Sequence, residues 1–331
     1  SKGGMEERLV RSRYHLRLLN ISGLRGKRKC DLFFAPFRIT MAIIKAMKIL
    51  RQVRPDVVLG MGGFVSGPGG VAARLLRIPL VIHEQNAIAG MTNRWLARVA
   101  QETLHAFPGA FPKRRYSKVV GNPIRQDIAS IVHPQERYAS RSGPVRILII
   151  GGSRGAHAIN QLMLETWRHW SQAMRPLIWH QTGEADFPHV SEQYQSISST
   201  AIVQDFIADM ASAYDWADIV VARAGALTVS ELAAVGVASL LVPYPHAVDD
   251  HQTKNAMGLK EVGGSYVFQE KGLSVDAFRD ALEALCQDRS TILTMALAAK
   301  RLDEASSSGK VIAACENAIR RYRGNDYATM E

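Results

Sequence analysis

The segment from Asp56 to Asn86 gathers residues suited to holding an anionic ligand. Val57, Val58 and Leu59 form the short apolar run of a parallel strand covered on both faces. Gly60, Gly62, Gly63, Gly67, Gly69 and Gly70 follow at once. Glycine lets backbone approach a ligand closely, and free N–H groups at a helix start bind anions. Pro68 suits a first helical turn, so the pattern predicts a glycine-rich turn and then a helix over 68–76. His83, Glu84, Gln85 and Asn86 fall at the end of a second strand, where open α/β sheets place their ligands. A purely structural tight turn is the competing reading of the glycines.

The same syntax returns twice. Val145 to Ile150 is an apolar strand followed by Gly151-Gly152-Ser153-Arg154-Gly155-Ala156. There the Ser153 hydroxyl could hold a phosphate oxygen or simply cap the next helix. Asp218 to Glu231 reads as strand, glycine turn and helix, with Arg223, Gly225 and Ala226 at the strand end. Thr228, Val229, Ser230 and Glu231 fit a capping box, although Glu231 is also placed to accept two ribose hydroxyls. Asp249, Asp250, His251, Gln252 and Asn255 form a polar cluster after a later strand. Paired carboxylates there could serve acid/base work or a metal, but no further His or Asp falls in phase, and C-x-x-C and H-E-x-x-H spacings are absent. No metal and no cofactor is expected.

Repeated strand–glycine–helix units predict an α/β protein with two doubly wound domains. In the first half the expected strands are 16–21, 57–59, 79–83, 103–106 and 119–120, and the expected helices are 36–53, 68–76 and 88–100. The composition changes across the polar stretch 133–143, so the domain join is expected between 121 and 144. In the second half strands are expected at 145–150, 176–181, 201–204, 218–222, 239–243 and 265–268. Helices are expected at 156–170, 208–216, 227–235, 251–261, 274–286 and, after a break at 303–309, 310–322.

The chain has 331 residues, a length that favours two domains. No apolar run is long enough to span a bilayer and the first residues lack a signal-peptide core. Three widely spaced cysteines, Cys30, Cys286 and Cys315, suit reduced cytoplasmic thiols. The net charge of +11 suits nucleic acid, an anionic membrane or a phosphorylated substrate. Lys27, Arg28 and Lys29 stand directly before Phe33, Phe34 and Phe37, a basic rim beside an apolar patch, as an interfacial membrane contact requires. The alternative is that these phenylalanines belong to the core.

Several segments, in order along nearly the whole chain, carry a specific resemblance: ISGLRGK (21–27), PDVVLGMGGFVSGPGG (55–70), HEQNAIAGMTNRWLA (83–97), AFPGAFP (106–112), VVGNPIR (119–125), GGSRGA (151–156), ARAGALTVSELAA (222–234) and HQTKNA (251–256). They resemble the MurG family of bacterial peptidoglycan glycosyltransferases. That resemblance implies two Rossmann-like domains facing a cleft, the GT-B architecture, with residues 1–124 and 304–331 in the acceptor domain and 125–303 in the donor domain. It implies an inverting transfer of N-acetylglucosamine from UDP-N-acetylglucosamine to the C4 hydroxyl of undecaprenyl-pyrophosphoryl-muramyl-pentapeptide, at the cytoplasmic face of the inner membrane. By position, Ile207 would hold the uracil edge through its backbone and Arg125 would lie near the nucleotide. Glu231 would bind the ribose. Ser153, Leu227 and Thr228 would take the diphosphate, within a donor segment that includes Val229 and Ser230. Asn86, Ala226 and Gln252 would reach the sugar. Gly62, Gly63, Ser66, Gly67 and Gly69 would hold the acceptor diphosphate, and Lys27, Arg28, Lys29, Phe33, Phe34 and Phe37 would meet anionic inner-membrane lipids. No nucleic-acid partner is implied.

Family members open with a strand and a glycine-rich loop of the form GGTGGH, and neither is present here. The resemblance therefore implies that a segment is missing ahead of Ser1, that the chain as given lacks transferase activity, and that its first half is the less stable. The general base is unassigned, with His83 and Glu84 candidates by location, each equally open to a scaffold role. Arg154 stands where the family's loop commonly carries Gln. Two alternatives stay open: a related transferase acting on another lipid, such as diacylglycerol, and a non-catalytic basic protein binding nucleotides or nucleic acid.

Overall fold

The structure is a computed structural model describing residues 14–19, 34–111, 117–152, 155–170, 175–197, 200–303 and 307–328. The chain divides into two compact units, Ser1–Val120 with Ser306–Glu331, and Gly121–Ala305.

The first unit carries α1 (Ala35–Val53), β1 (Val58–Gly60), α2 (Gly63–Leu75), β2 (Leu80–Glu84), α3 (Met91–Leu96), β3 (Glu102–His105) and β4 (Ser117–Val119). Its sheet runs β1-β2-β3-β4, every pairing parallel. Leu80 and Ile82 turn to one face, against Ala89, Leu96 and Phe111. Val81 and Leu104 turn to the other, where Val311, Ala314 and Ala318 of the C-terminal helix cover them. That alternation is the period of a strand buried on both faces.

Two expectations are corrected here. The glycine-rich segment is not a long turn: α2 starts at Gly63, so Pro68 lies inside the helix. Gly67 makes this tolerable, because a residue without Cβ escapes the clash that normally keeps the position before proline out of the helical region. The expected strand over 16–21 is not seen in its described part, since 15–19 have no regular structure.

The second unit carries α4 (Gln126–Ala129), α5 (Pro134–Ala139), β5 (Arg146–Ile150), α6 (His157–Arg168), β6 (Leu177–Gln181), α7 (Phe187–Ser196), β7 (Ile202–Gln204), α8 (Met210–Trp216), β8 (Ile219–Ala222), α9 (Ala226–Val235), β9 (Ala238–Leu241), α10 (His251–Glu261), β10 (Ser265–Val267), α11 (Val275–Gln287) and α12 (Arg289–Lys300). The C-terminal helix of the first unit is α13 (Ser307–Ala328). All pairs in the six-stranded sheet are parallel, in the order β10-β9-β8-β5-β6-β7. Helices α4, α5, α7 and α12 stand where no helix was expected. Helix α12 had a legible start: Asp288 accepts the N–H groups of Ser290 and Thr291 as its N-cap. Helix α7 was hidden by its composition, because within a polar stretch only Val190 and Tyr194, one turn apart, are buried.

Candidate functional site

In the second unit the strand order reverses between β5 and β8. At such a switch point the connecting loops diverge and leave a crevice at the carboxyl ends of the strands. Two glycine segments meet that edge. After β5, Gly152 and Gly155 have φ of 78° and 74°, and Gly155 N–H closes a turn on the Gly152 carbonyl at 2.9 Å. A Cβ on Gly151 would lie 2.3 Å from Ala156 N, and one on Gly155 would lie 2.0 Å from Thr182 O. These two glycines are demanded by close packing of the loop. Ser153 and Arg154, between them, lie outside the described residues.

After β8, Gly225 is the N-cap of α9 and supplies no side-chain cap. The N–H groups of Ala226, Leu227 and Thr228 are therefore those of an open helix start. Val229 N–H already bonds Gly225 O at 2.9 Å and its side chain is buried. Val229 is thus committed to the body of the helix. Thr228 lies inside the helix, so the capping-box reading of Thr228 and Glu231 is corrected. Ser230 accepts a bond from Asn122 Nδ2 at 2.9 Å and serves to tie α9 to the segment before α4.

Glu231 is half-buried on α9 and accepts the Tyr214 hydroxyl at 2.9 Å. Burial pushes its carboxyl upward, while Tyr214 and the Arg125 guanidinium pull it back. Arg125 is exposed and pairs loosely with Asp127 at 3.6 Å. Ile207 is buried just beyond β7. Gln252 uses its Oε1 to accept Tyr244 N–H at 2.9 Å, leaving its NH2 group to donate. Arg223 is spent on structure, bonding Val242 O at 3.1 Å and pairing with Glu270. Among the described residues no group of three His, Cys, Asp or Glu could hold a metal ion.

In the first unit, the end of β2 is a finished scaffold. Glu84 Oε1 accepts Asn86 N–H at 3.0 Å and Asn86 Nδ2 at 3.2 Å. Its Oε2 accepts Gly90 N–H at 3.0 Å and Asn93 Nδ2 at 2.8 Å. Four donors on a buried carboxylate describe a loop organiser rather than a base free to take a proton. His83 is fully buried, with Gln85 Nε2 at 3.3 Å from its Nδ1. Gln85 Nε2 also donates to Met61 O at 2.9 Å, which fastens this loop to the approach of α2. Gly62 is the N-cap of α2, with φ of 80° and no side-chain cap. Gly62 and Gly63 therefore stand at an open helix start. Ser66, Gly67 and Gly69 are inside α2, and the Ser66 hydroxyl is committed to Gly62 O.

Lys27, Arg28, Lys29 and Phe33 lie outside the described residues. Phe34 and Phe37 are exposed, at 59% and 69%, and so are not core residues. Tyr214, Asn122 and Gln181 escaped the sequence reading, since each acts through a partner distant in the chain.

The glycosyltransferase family 28 N-terminal domain matches residues 1–105, and the family's C-terminal domain matches residues 146–311. The UDP-N-acetylglucosamine–N-acetylmuramyl-(pentapeptide) pyrophosphoryl-undecaprenol N-acetylglucosamine transferase of Coxiella burnetii is 47% identical over 315 residues, covering 95% of this chain and 88% of that protein. The transferase of the same name from Marinobacter nauticus is 48% identical over 316 residues, covering 95% and 87%. Among solved structures, Acinetobacter baumannii MurG superposes with a TM-score of 0.82 at 36% identity, covering 96% of this chain and 89% of that one. A UDP-GlcNAc 2-epimerase from Neisseria meningitidis bound to UDP-GlcNAc reaches a TM-score of 0.59 at 13% identity, a likeness of fold alone.

Proposed function

The chain belongs to glycosyltransferase family 28, and from that premise we propose that it moves N-acetylglucosamine from UDP-N-acetylglucosamine to the C4 hydroxyl of undecaprenyl-pyrophosphoryl-muramyl-pentapeptide. It is a glycosyltransferase of peptidoglycan synthesis with two parallel-sheet domains of GT-B architecture. The observation that carries the donor side is the open start of α9 at the switch point, with the Tyr214-bound Glu231 one turn further along.

The acceptor hydroxyl attacks the anomeric carbon from the face opposite UDP as its proton passes to a general base. The new C–O bond forms as the bond to the phosphate oxygen breaks, so an α-linked donor gives a β1→4 product. The electron pair leaves with the diphosphate. The N–H groups of Ala226, Leu227 and Thr228, the positive end of the α9 dipole and the Ser153 loop stabilise that charge. Glu231 takes the ribose hydroxyls, Ile207 the uracil edge through its backbone, and Arg125 adds positive charge beside the nucleotide. Ala226 and the free amide of Gln252 bind the sugar. On the acceptor side the N–H groups at Gly62 and Gly63 hold the lipid diphosphate, while Ser66, Gly67 and Gly69 shape the helix behind them.

Membrane contact belongs to the first unit. Phe37, Met41 and Ile44 recur at helical spacing on α1 and are all exposed, with Lys45, Lys48 and Arg51 further along the same helix. Helix α1 packs on α2 and α2 on α3, whose Leu75, Met91 and Trp95 are exposed too. Exposed apolar residues beside cations fit the interface of anionic inner-membrane lipids. No helix among the described residues is long and apolar enough to cross a membrane.

Calorimetry with UDP and UDP-sugars, followed by transfer of radiolabelled N-acetylglucosamine, tests the reading. Binding of UDP-N-acetylglucosamine in preference to UDP-glucose supports the donor site, and absence of UDP binding sinks it. Label appearing in diacylglycerol rather than in the muramyl lipid moves the acceptor assignment.

A further inference from the structure

Gln181 ends β6, beside β5 on one side and β7 on the other, pairing in register with Ile150 and Gln204. It is 4% exposed. Its side-chain Nε2 donates to Gly152 O at 2.9 Å and to Asp205 O at 3.1 Å. Each of those carbonyls is already the keystone of its own loop. Gly152 O accepts Gly155 N–H at 2.9 Å, the bond that closes the glycine turn. Asp205 O accepts Gly183 N–H at 3.1 Å and stands two residues before the buried Ile207. One NH2 group thus joins the loop assigned to the donor diphosphate and the segment assigned to the uracil edge. Both N–H bonds of the amide are used, one on each loop.

A nucleoside diphosphate is bound by both loops at once only if their spacing is held. In an unclamped pair the ligand must itself order them, and that cost is subtracted from affinity. We propose that Gln181 is a positioning residue for the donor nucleotide, setting the distance between the diphosphate loop at Gly152 and the uracil-side segment at Asp205–Ile207. The role rests on the donor-site reading above, but the clamp itself is a property of the unliganded protein. Its neighbours support the arrangement. Thr182 N–H and its hydroxyl both bond Gln204 O, at 2.9 and 3.3 Å, and Asn160 Nδ2 holds Thr182 O at 3.0 Å. The β6 end is therefore stiff, and the Gln181 amide is the arm that reaches from it to both loops.

Two variants of the full chain test this: Gln181→Leu, which keeps volume without a donor, and Gln181→Asn, which keeps the amide but cannot span both carbonyls. Amide hydrogen exchange without ligand is the first measurement. Exchange should quicken in both 152–156 and 205–207 while β5 and β8 stay protected. Quickening in one segment only, or in neither, overturns the clamp whatever the protein binds. Competition binding with UDP, uridine and inorganic pyrophosphate is the second. UDP should weaken by about tenfold, the size of one or two lost hydrogen bonds, with a matching rise in KM for the UDP-sugar and little change in kcat. Uridine and pyrophosphate, each touching one loop, should change far less. Equal weakening of all three ligands would mark general loosening and overturn the positioning role. If the wild-type chain binds no UDP, the donor-site reading fails while the exchange result still decides the clamp.

Discussion

Tyr214 donates its hydroxyl to Glu231 Oε2 at 2.9 Å, from a ring that is fully buried beneath α9. The bond fixes the direction of a half-buried carboxylate at the edge where the nucleotide is proposed to sit. It also opposes the desolvation that raises the Glu231 carboxyl. A group placed to meet a ribose is thus held at some cost to the unliganded fold, as functional residues commonly are.

Replacing Glu231 with Ala should weaken UDP binding by about 1.5–3 kcal/mol, the usual cost of losing hydrogen bonds to a charged group. Calorimetry checks it, and unchanged affinity in a folded variant sinks the assignment. Tyr214→Phe removes the donor that favours the carboxylate, so the pH above which UDP binding is complete should move upward.

Glu231→Gln should separate stability from binding. The wild-type carboxyl is raised above its ordinary 4.5. Its contribution is therefore fully present below that value and is lost as pH rises through the raised one. Thermal unfolding should show the variant more stable than wild type at neutral pH, an advantage that fades as pH falls through the raised value and is gone below 4.5, while UDP binding is weaker. Identical pH profiles for the two proteins would remove the linkage.

His180 is buried between Tyr194 Oη at 3.1 Å and Asn160 Oδ1 at 3.0 Å. Burial pushes its pKa down to about 3 from an ordinary 6.5. The folded state thus prefers neutral imidazole; that stability is present above 6.5 and is lost as pH falls toward 3. His180→Leu should cost about 1–3 kcal/mol for each stranded polar partner and should flatten the acid limb of the unfolding profile. An unaltered acid limb would show that another group carries it.

Two adjacent glycines of α2 should respond in opposite ways. A Cβ on Gly70 would meet Leu96 Cδ2 at 2.6 Å, whereas one on Gly69 meets nothing within 4 Å. Gly69→Ala should therefore stabilise the helix by about 0.5–1 kcal/mol, and Gly70→Ala should destabilise the protein by forcing α2 and α3 apart. Because Gly69 is inside the helix, its alanine variant should leave the KM for the lipid acceptor unchanged. A rise would put Gly69 back in contact with the diphosphate.

Phe37→Ser with Trp95→Ser should reduce sedimentation with anionic vesicles and leave UDP affinity as it was, since both rings are exposed, at 69% and 63%. Loss of UDP binding together with vesicle binding would point to misfolding. Retention on vesicles would shift the contact to another face.

Apolar runs such as Val145–Ile150, each followed by glycines, announce parallel strands and turns because strand burial and positive φ are local demands on residue type. The strand–glycine–helix unit leading to α9 was legible for the same reason, although the capping box placed the helix start at Thr228 rather than at Gly225. Helix α2 was misjudged because proline and glycine speak against a helix locally, whereas packing on β1, β2 and α3 outweighs them. The scaffold role of Glu84 depends on donors at Asn86, Gly90 and Asn93, and the sequence alone left it open beside a catalytic one. Tyr214 on Glu231, and Gln181 between Gly152 and Asp205, are joined across 17 to 29 residues of chain. A side-chain hydrogen bond leaves no periodic trace in the sequence, so only the folded sheet, by ordering β5, β6 and β7 side by side, decides which donor meets which carbonyl.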